Sequence, residues 1–459
     1  MNMRFEIAVP NMYFIDGADR VFDLLEERGG IRSIGVNTIM EEFTDAENGS
    51  RFPSMVDRLN RPIMGKDVIY VRNHSTFTPN PALYADTGVK PPMPVPGAPD
   101  ILRQALTEGK RRGLFFSIMD ASLAIPPQKG PNRGEKFGYP WWTVVDDEYK
   151  GVRIDGRPIV GVESKSCPNH PDIRQYVLAR LRDIIEHYPE IDALYIDHLE
   201  FPTYTLEDSF SCFCPHCAAA AKRMGIDLEA IRADLLPYFE RLNRLEAAQL
   251  DEVFHHDSFR ALSRFRWESI KDLAAHIRAT IQDAGAGSIK FGITGFTPAF
   301  SMTGSRNYQE IADYCDVVLP KFYPEHWTVV LRMWAARLCD GNPNMTDAEA
   351  LAVIYKHLGW SGGDLPLSRV GLDVNTHRVL PMRLVDVEAK QTRAALGPDA
   401  EVVPCVHGWG SVRNWKTKLD ELERNRLGAY IWALFHITDE QFEATREAIR
   451  RIEEQTPNA

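Results

Sequence analysis

Several short apolar runs in this 459-residue chain end in side chains that can hold or move a proton. One is Asp192-Ala-Leu-Tyr-Ile-Asp197-His198-Leu-Glu200-Phe-Pro202. A second is Asp316-Val-Val-Leu-Pro-Lys321-Phe-Tyr323-Pro-Glu325-His326-Trp327. Burying Asp197 without a partner is costly, so a run that ends in it needs either a pocket for the carboxylate to face or a cap or Arg to hold it. Glu200 either shares that cleft or sits in water as a loop carboxylate. His198 is either a ligand of substrate hydroxyls or a packed wall. Glu325 is the best partner for Asp197, set against a structural role; Asp120 and Asp373 are weaker candidates.

Two carboxylates across a cleft suit cleavage of a glycosidic bond. One protonates the leaving oxygen; the other attacks the anomeric carbon or activates water. Aromatic residues gather at the same run ends: Trp141, Trp142, Tyr323, Trp327 and Trp409. Sugar rings pack their C–H faces on aromatic faces, whereas a tryptophan taken alone is more often core. His326, His407, Trp409 and His436 add polar groups for a rim. The sequence therefore predicts Asp197, Glu325 and Glu200 as catalytic. It predicts His198, Tyr323, His326, Trp327, His407, Trp409 and Trp142 as substrate-binding.

A second cluster is Cys212-Phe-Cys214-Pro-His-Cys217, with three thiols in six residues. Thiolates at this spacing close on one tetrahedral zinc, with Zn–S near ~2.3 Å. The alternative is three buried, reduced thiols. A fourth ligand is needed: Cys167 is the candidate and His216 the fallback. Four cysteines would make a closed, structural site that clamps the loop after Asp197 to the start of the preceding helix.

These groups need elements to position them. Along the chain a short β-rich run, a polar loop and a helical stretch recur, which predicts a parallel sheet. The β runs are Phe5–Val9, Gly35–Ile39, Leu114–Ile118, Ala193–Asp197, Ile289–Phe296, Asp316–Phe322, Arg369–Val374, Val402–Val406 and Ala429–Leu434. That gives nine candidates for eight barrel strands, with Arg369–Val374 taken as the extra one. Residues 41–99, rich in Pro and Asn, read as a long loop. Helices are predicted over 21–28, 101–112, 172–188 and 439–453. A stretch over 217–283 is too long for one barrel helix. The fold class expected is α/β: one (β/α)8 barrel over residues 1–459, with a helical subdomain inserted after strand 4 over about 205–285. Polar and aromatic residues after the strand ends fit a closed barrel, which builds its site there. No glycine-rich phosphate motif follows the early strands, so a nucleotide-binding sheet and an organic cofactor are not expected.

From Ser166 to Cys217 the chain resembles the zinc-site region of family-42 β-galactosidases. It has Cys-Pro-Asn-His-Pro-Asp-Ile-Arg-Gln-Tyr, an amphipathic helix, a strand, then Cys-Phe-Cys-Pro-His-Cys. That resemblance covers about 50 residues and implies Cys167, Cys212, Cys214 and Cys217 as ligands of a structural zinc. That family has Asn-Glu at the end of this strand, with the Glu as acid/base; here the strand ends Ile-Asp197-His198. The Tyr-Ile-Asp ending is similar instead to barrels classed as glycosyl hydrolases and to α-L-fucosidase-type barrels. The latter resemblance implies Asp197 as nucleophile.

Composition narrows the partners. The chain is 44% hydrophobic and 25% charged, with a net charge of -11 and no Lys/Arg-rich run, which argues against a nucleic-acid or anionic-membrane surface. No stretch reaches the roughly 18 apolar residues of a membrane span. The segment MNMRFEIAVPNMYF does not read as a signal peptide, so the compartment expected is the cytoplasm, where the seven Cys stay reduced. The partner expected is a small carbohydrate, and a homo-oligomer is left open. The first functional expectation is a glycoside hydrolase acting on a small glycoside or oligosaccharide. The alternative is a metal-dependent barrel hydrolase, lyase or isomerase using ligands among His74, Asp197, His198, Glu325, His326 and His407. A non-catalytic carbohydrate-binding barrel is the third.

Overall fold

The computed structural model describes residues 3–14, 17–37, 39–43, 68–94, 100–121, 123, 125, 145–159, 166–360, 382–408, 410–432, 434 and 437–455. In chain order the elements are β1 (Phe5–Ala8), α1 (Ala18–Leu24), β2 (Ser33–Asn37), β3 (Ile39–Phe43), β4 (Val68–Ser75), β5 (Met93–Pro94), α2 (Ile101–Arg111) and β6 (Phe115–Asp120). Then come α3 (Pro171–His187), β7 (Ala193–Ile196), α4 (Pro215–Arg223), α5 (Leu228–Phe239), α6 (Ala247–His255), α7 (Asp257–Asp283), β8 (Lys290–Gly295), α8 (Ser301–Gly304) and β9 (Val317–Pro320). The chain continues with α9 (Pro324–Cys339), α10 (Asp347–His357), α11 (Arg383–Leu396), β10 (Glu401–Val402), β11 (Cys405–His407), α12 (Val412–Arg424), β12 (Ala429–Trp432) and α13 (Asp439–Gln455).

Nine of these strands form one all-parallel sheet in the order β10-β9-β8-β7-β6-β2-β1-β12-β11. Its two end strands are the halves of one segment, Glu401–His407. Below the break, β10 pairs with β9 and the Val403 N–H donates to Val318 O at 2.9 Å. Above it, β11 pairs with β12, and the Tyr430 N–H donates to Pro404 O at 2.8 Å. The Phe322 N–H reaches back to Cys405 O at 2.8 Å. Pro404 has no N–H, which suits the point where the ladder changes sides. The sheet thus curls until this segment is bonded on both edges, giving an α/β barrel of eight strand positions. Arg369–Val374 lies outside the described residues, and β9 bonds directly to β10.

Strand parity builds the interior. Ala8, Met119, Ala193, Tyr195, Val317, Leu319, Val403, Cys405 and Tyr430 form one buried cluster inside the barrel. Alternate residues such as Ile7, Ile118, Leu194, Ile196 and Val318 join the core under the helices, as a period of two requires. Large interior rings need gaps opposite them. A Cβ on Gly35 would strike the Tyr430 hydroxyl, and one on Gly292 would lie 2.5 Å from the Tyr195 ring. At the N-terminal end Glu6 is fully buried, accepting from the Tyr195 hydroxyl at 3.1 Å and from Arg4 Nε at 3.2 Å.

The helices around the barrel start and stop on local signals. Asp100 caps α2 by accepting from the Arg103 N–H at 2.8 Å, and Lys110 and Arg111 complement its C-terminal end. Pro171 opens α3, whose Ile173, Tyr176, Val177, Arg180, Leu181, Ile184 and Ile185 are buried. Between β7 and β8 the chain passes through α4, α5 and α6 before the 27-residue α7, which packs on α3.

Two sequence expectations are corrected. Residues 41–99 are not all loop: β3, β4 and β5 make a separate three-stranded sheet, β3 antiparallel to β4. The second barrel strand runs over Ser33–Asn37 rather than Gly35–Ile39, because Thr38-Ile39, with strong β propensity, pulls the sequence reading past the point where the barrel pairing ends. Among the described residues no helix is long and apolar enough to cross a membrane.

Candidate active site

The inward parity of β7, through Ala193 and Tyr195, carries on to Asp197, just past the strand's C-terminal end. The same parity brings Thr294 of β8, Lys321 and Tyr323 past β9, and His407 of β11 to this mouth. Asp197 Oδ1 accepts a hydrogen bond from the Thr294 hydroxyl and stands 3.0 Å from Lys321 Nζ. Asp197 Oδ2 is 3.7 Å from His198 Nε2. Its side chain keeps 16% exposure, against 5% for Lys321. Burial works against ionisation, but His198, Lys321 and the Thr294 hydroxyl outweigh it and hold the Asp197 carboxyl well below the usual carboxylate range.

His198 adopts φ 56°, a left-handed conformation rare for a residue with a side chain. The turn lets its N–H donate to Thr294 Oγ1 at 3.2 Å while its ring faces Lys321 and Glu200. Glu200 lies beneath it, 1% exposed, with Oε1 3.1 Å from His198 Nδ1. Oε2 accepts from the Phe296 N–H at 3.3 Å and is 3.9 Å from buried Arg306.

Aromatic and imidazole groups complete the mouth. The Tyr323 and His407 rings lie 4.2 Å apart, and His326 packs against both at 4.8 and 5.2 Å. Tyr204 reaches over from the loop after β7 to bond His326 Nδ1 at 2.5 Å. Trp327 is placed elsewhere: fully buried beside Phe322 and Trp360, with its indole N–H on Lys321 O at 3.2 Å. It is core, not rim. The backbone of Glu325 is described, at the second position of α9, but its side chain is not. Trp141, Trp142, Trp409, Asp373 and His436 lie outside the described residues, as does the side chain of His74.

Asp120 shows what parity decides. It ends β6 as Asp197 follows β7, yet it faces outward, where Arg180 of α3 binds it at 2.7 to 3.0 Å. Sequence reasoning missed Thr294, Lys321 and Tyr204 as site residues. Lys321 carried the same signal as Asp197, a charge closing an apolar run. Thr294 and Tyr204 are recognisable only once register and loop path are known.

The four cysteines come together. The Cys167 sulfur lies 3.4 Å from that of Cys217, 3.6 Å from Cys214 and 4.0 Å from Cys212. All four are buried, with sulfurs within 4.8 Å of one another. A tetrahedral zinc with ~2.3 Å bonds needs sulfurs about 3.8 Å apart, so the residues fit that ion. Backbone N–H groups of Val152 and Cys217 donate to Cys212 and Cys214 at 3.1 and 3.4 Å, and Asn169 reaches Cys217 at 3.4 Å while bonding Ser269. Such outer donors orient thiolate ligands. The ring of His216, the fallback ligand, packs on His170 at 4.2 Å.

The chain is similar in fold to the glycoside hydrolase domain of PgaB (BpsB) from Bordetella bronchiseptica, with a TM-score of 0.53 and 12% identity over 98% of this chain and 99% of that one. It is also similar to a β-galactosidase from Bacillus circulans sp. alkalophilus, with a TM-score of 0.51 and 12% identity over 98% of this chain but only 56% of the galactosidase. At this identity the likeness is one of fold. No protein-family model matches the chain, and no curated protein sequence matches it.

Proposed function

We propose that this chain is a glycoside hydrolase that cleaves the glycosidic bond of a small glycoside or oligosaccharide. The observation that carries the reading is Asp197: an inward-facing, partly exposed carboxylate at the C-terminal mouth of the barrel, held ionised by Lys321 and the Thr294 hydroxyl, at a mouth where Tyr323 packs on His326 and His407. Likeness of fold to a glycoside hydrolase domain adds support. Asp197 attacks the anomeric carbon or takes a proton from the attacking water. A second group, for which Glu325 is the candidate, gives its proton to the leaving oxygen; Glu200, buried beneath His198, supports that ring from below. A carboxyl separation of about 5–5.5 Å goes with retention and about 6.5–9.5 Å with inversion. Cys167, Cys212, Cys214 and Cys217 hold a structural zinc, a closed site that pins the loop after Asp197 and supplies no open coordination position.

The test is a screen of aryl glycosides of both anomers. The wild-type protein is expected to hydrolyse at least one, and Asp197→Asn to lose activity by about a thousandfold or more with an unchanged circular dichroism spectrum. An active Asp197→Asn protein, or no hydrolysis of any glycoside, would overturn the reading.

A further inference from the structure

Two strand tips meet at the barrel mouth as an ion pair. Lys321, past β9, lies 3.0 Å from Asp197, past β7, and Thr294 of the intervening β8 bonds the same oxygen, Oδ1. Lys321 also stands 2.9 Å from His198 Nδ1. The ammonium is 5% exposed, and at such burial a charged amine persists only beside an opposite charge. The other ionisable groups facing the carboxylate are His198 on its own loop, Tyr323 past β9, Cys405 in β11 and Tyr430 in β12. Burial and the carboxylate itself keep the last three protonated and neutral. Lys321 is thus the side-chain cation that the geometry places directly on Oδ1.

We propose that Lys321 is the positioning residue that commits Asp197 to act as nucleophile or base, so that the proton for the leaving oxygen comes from a second group. The inference rests on the glycosidase reading of the site. Oδ1 is held twice, by the ammonium and by the Thr294 hydroxyl. That fixes the rotation of the carboxylate and leaves Oδ2 as the oxygen directed to the anomeric carbon or to water. In the step, either Oδ2 forms the new bond to the anomeric carbon, or a water oxygen forms that bond while Oδ2 takes its proton. The bond to the leaving oxygen breaks with its electron pair, and that oxygen is protonated by the other group. A carboxyl kept ionised has no proton to give.

Carbon-13 labelling of the aspartate carboxyls, with the Asp197 resonance assigned by its loss in Asp197→Asn, tests this without any substrate. In the wild-type protein the Asp197 carboxyl is expected to stay ionised to the acid limit of folding. In Lys321→Met it is expected to titrate about two pH units higher, a roughly hundredfold gain in proton affinity. Lys321→Arg is expected to restore the wild-type behaviour. With an active glycoside, the acidic limb of kcat/KM should move up by the same amount in Lys321→Met and return in Lys321→Arg, which a purely structural loss would not do. A wild-type Asp197 that titrates near the ordinary value of about 4 overturns the proposal, even if Lys321→Met fails to fold. So does a titration that Lys321→Met leaves unmoved. If no glycoside is hydrolysed, the function proposed above fails while the carboxyl titration still decides the role of Lys321.

Discussion

Arg180 of α3 grips Asp120 from outside the barrel, through Nε and Nη2 at 2.7 to 3.0 Å, one strand away from the inward-facing Asp197. Both side chains are nearly fully buried, at 6% and 0% exposure. Removing either partner leaves an uncompensated buried charge, which costs roughly 3–5 kcal/mol. Asp120→Asn and Arg180→Met are each expected to lower stability to urea by about that much. The double variant should lose clearly less than the sum, because the second change removes the charge stranded by the first. Single variants within about 0.5 kcal/mol of wild type would show that the pair does not hold β6 to α3.

Metal content decides the nature of the cysteine cluster. Protein purified from zinc-containing medium is expected to carry about one zinc per chain, and Cys214→Ser to carry none. Chelation at neutral pH should lower the melting temperature by several degrees, since binding free energy at such a site is folding free energy. Metal-free wild-type protein of unchanged melting temperature would mean the four thiols are simply packed.

Glu388 of α11 gives a stability signature in pH. It is fully buried, receiving the Trp360 indole N–H and the Ala299 N–H. Burial pushes its carboxyl up to about 7. A raised folded-state value means the contribution is fully present below about 4.5 and is lost as pH rises through about 7, on the order of 3 kcal/mol in all. Glu388→Gln, which imitates the protonated acid, should match wild type in urea unfolding at pH 4 and be the more stable at pH 9. Equal pH dependence in the two proteins would remove Glu388 as the cause.

The left-handed backbone at His198 can be separated from its ring contacts by two substitutions. His198→Ala and His198→Gly both remove the ring, but only glycine relieves the conformation. The glycine variant is expected to be more stable than the alanine variant by about 1 kcal/mol. An alanine variant equal to or more stable than the glycine one would mean that the turn carries no strain.

How far the sequence reaches is visible in Asp120 and Asp197. Each closes an apolar run, and no pattern within either run says which residue points into the barrel. Parity relative to the neighbouring strands decides, and parity is a property of the register. The barrel strands themselves were legible as apolar runs, and the cysteines as a spacing. The break at Pro404 was not, because the seam depends on two neighbours that come from distant parts of the chain. The run Val68-Ile-Tyr-Val carried enough β-branched and aromatic character to reveal β4, but the Pro and Asn around it masked the signal. Trp327 misled because a tryptophan after a strand end reads the same whether it stands at a rim or, as here, fills the space under α9.

Closure of the sheet sets a timetable for synthesis. The free edge of β1 is covered only when β12 arrives, with Phe5 opposite Ala429. At 5–20 residues per second the ribosome takes on the order of a minute to bridge that interval. For that time the nascent chain presents an unpaired, apolar strand edge, a ready template for mispairing with another chain. Ribosome-bound chains stopped before residue 429 should therefore be cut readily by protease within β1, and chains extended past α13 should resist. Demand for chaperones in the cell would then follow from the distance along the message between two strands that are neighbours in space.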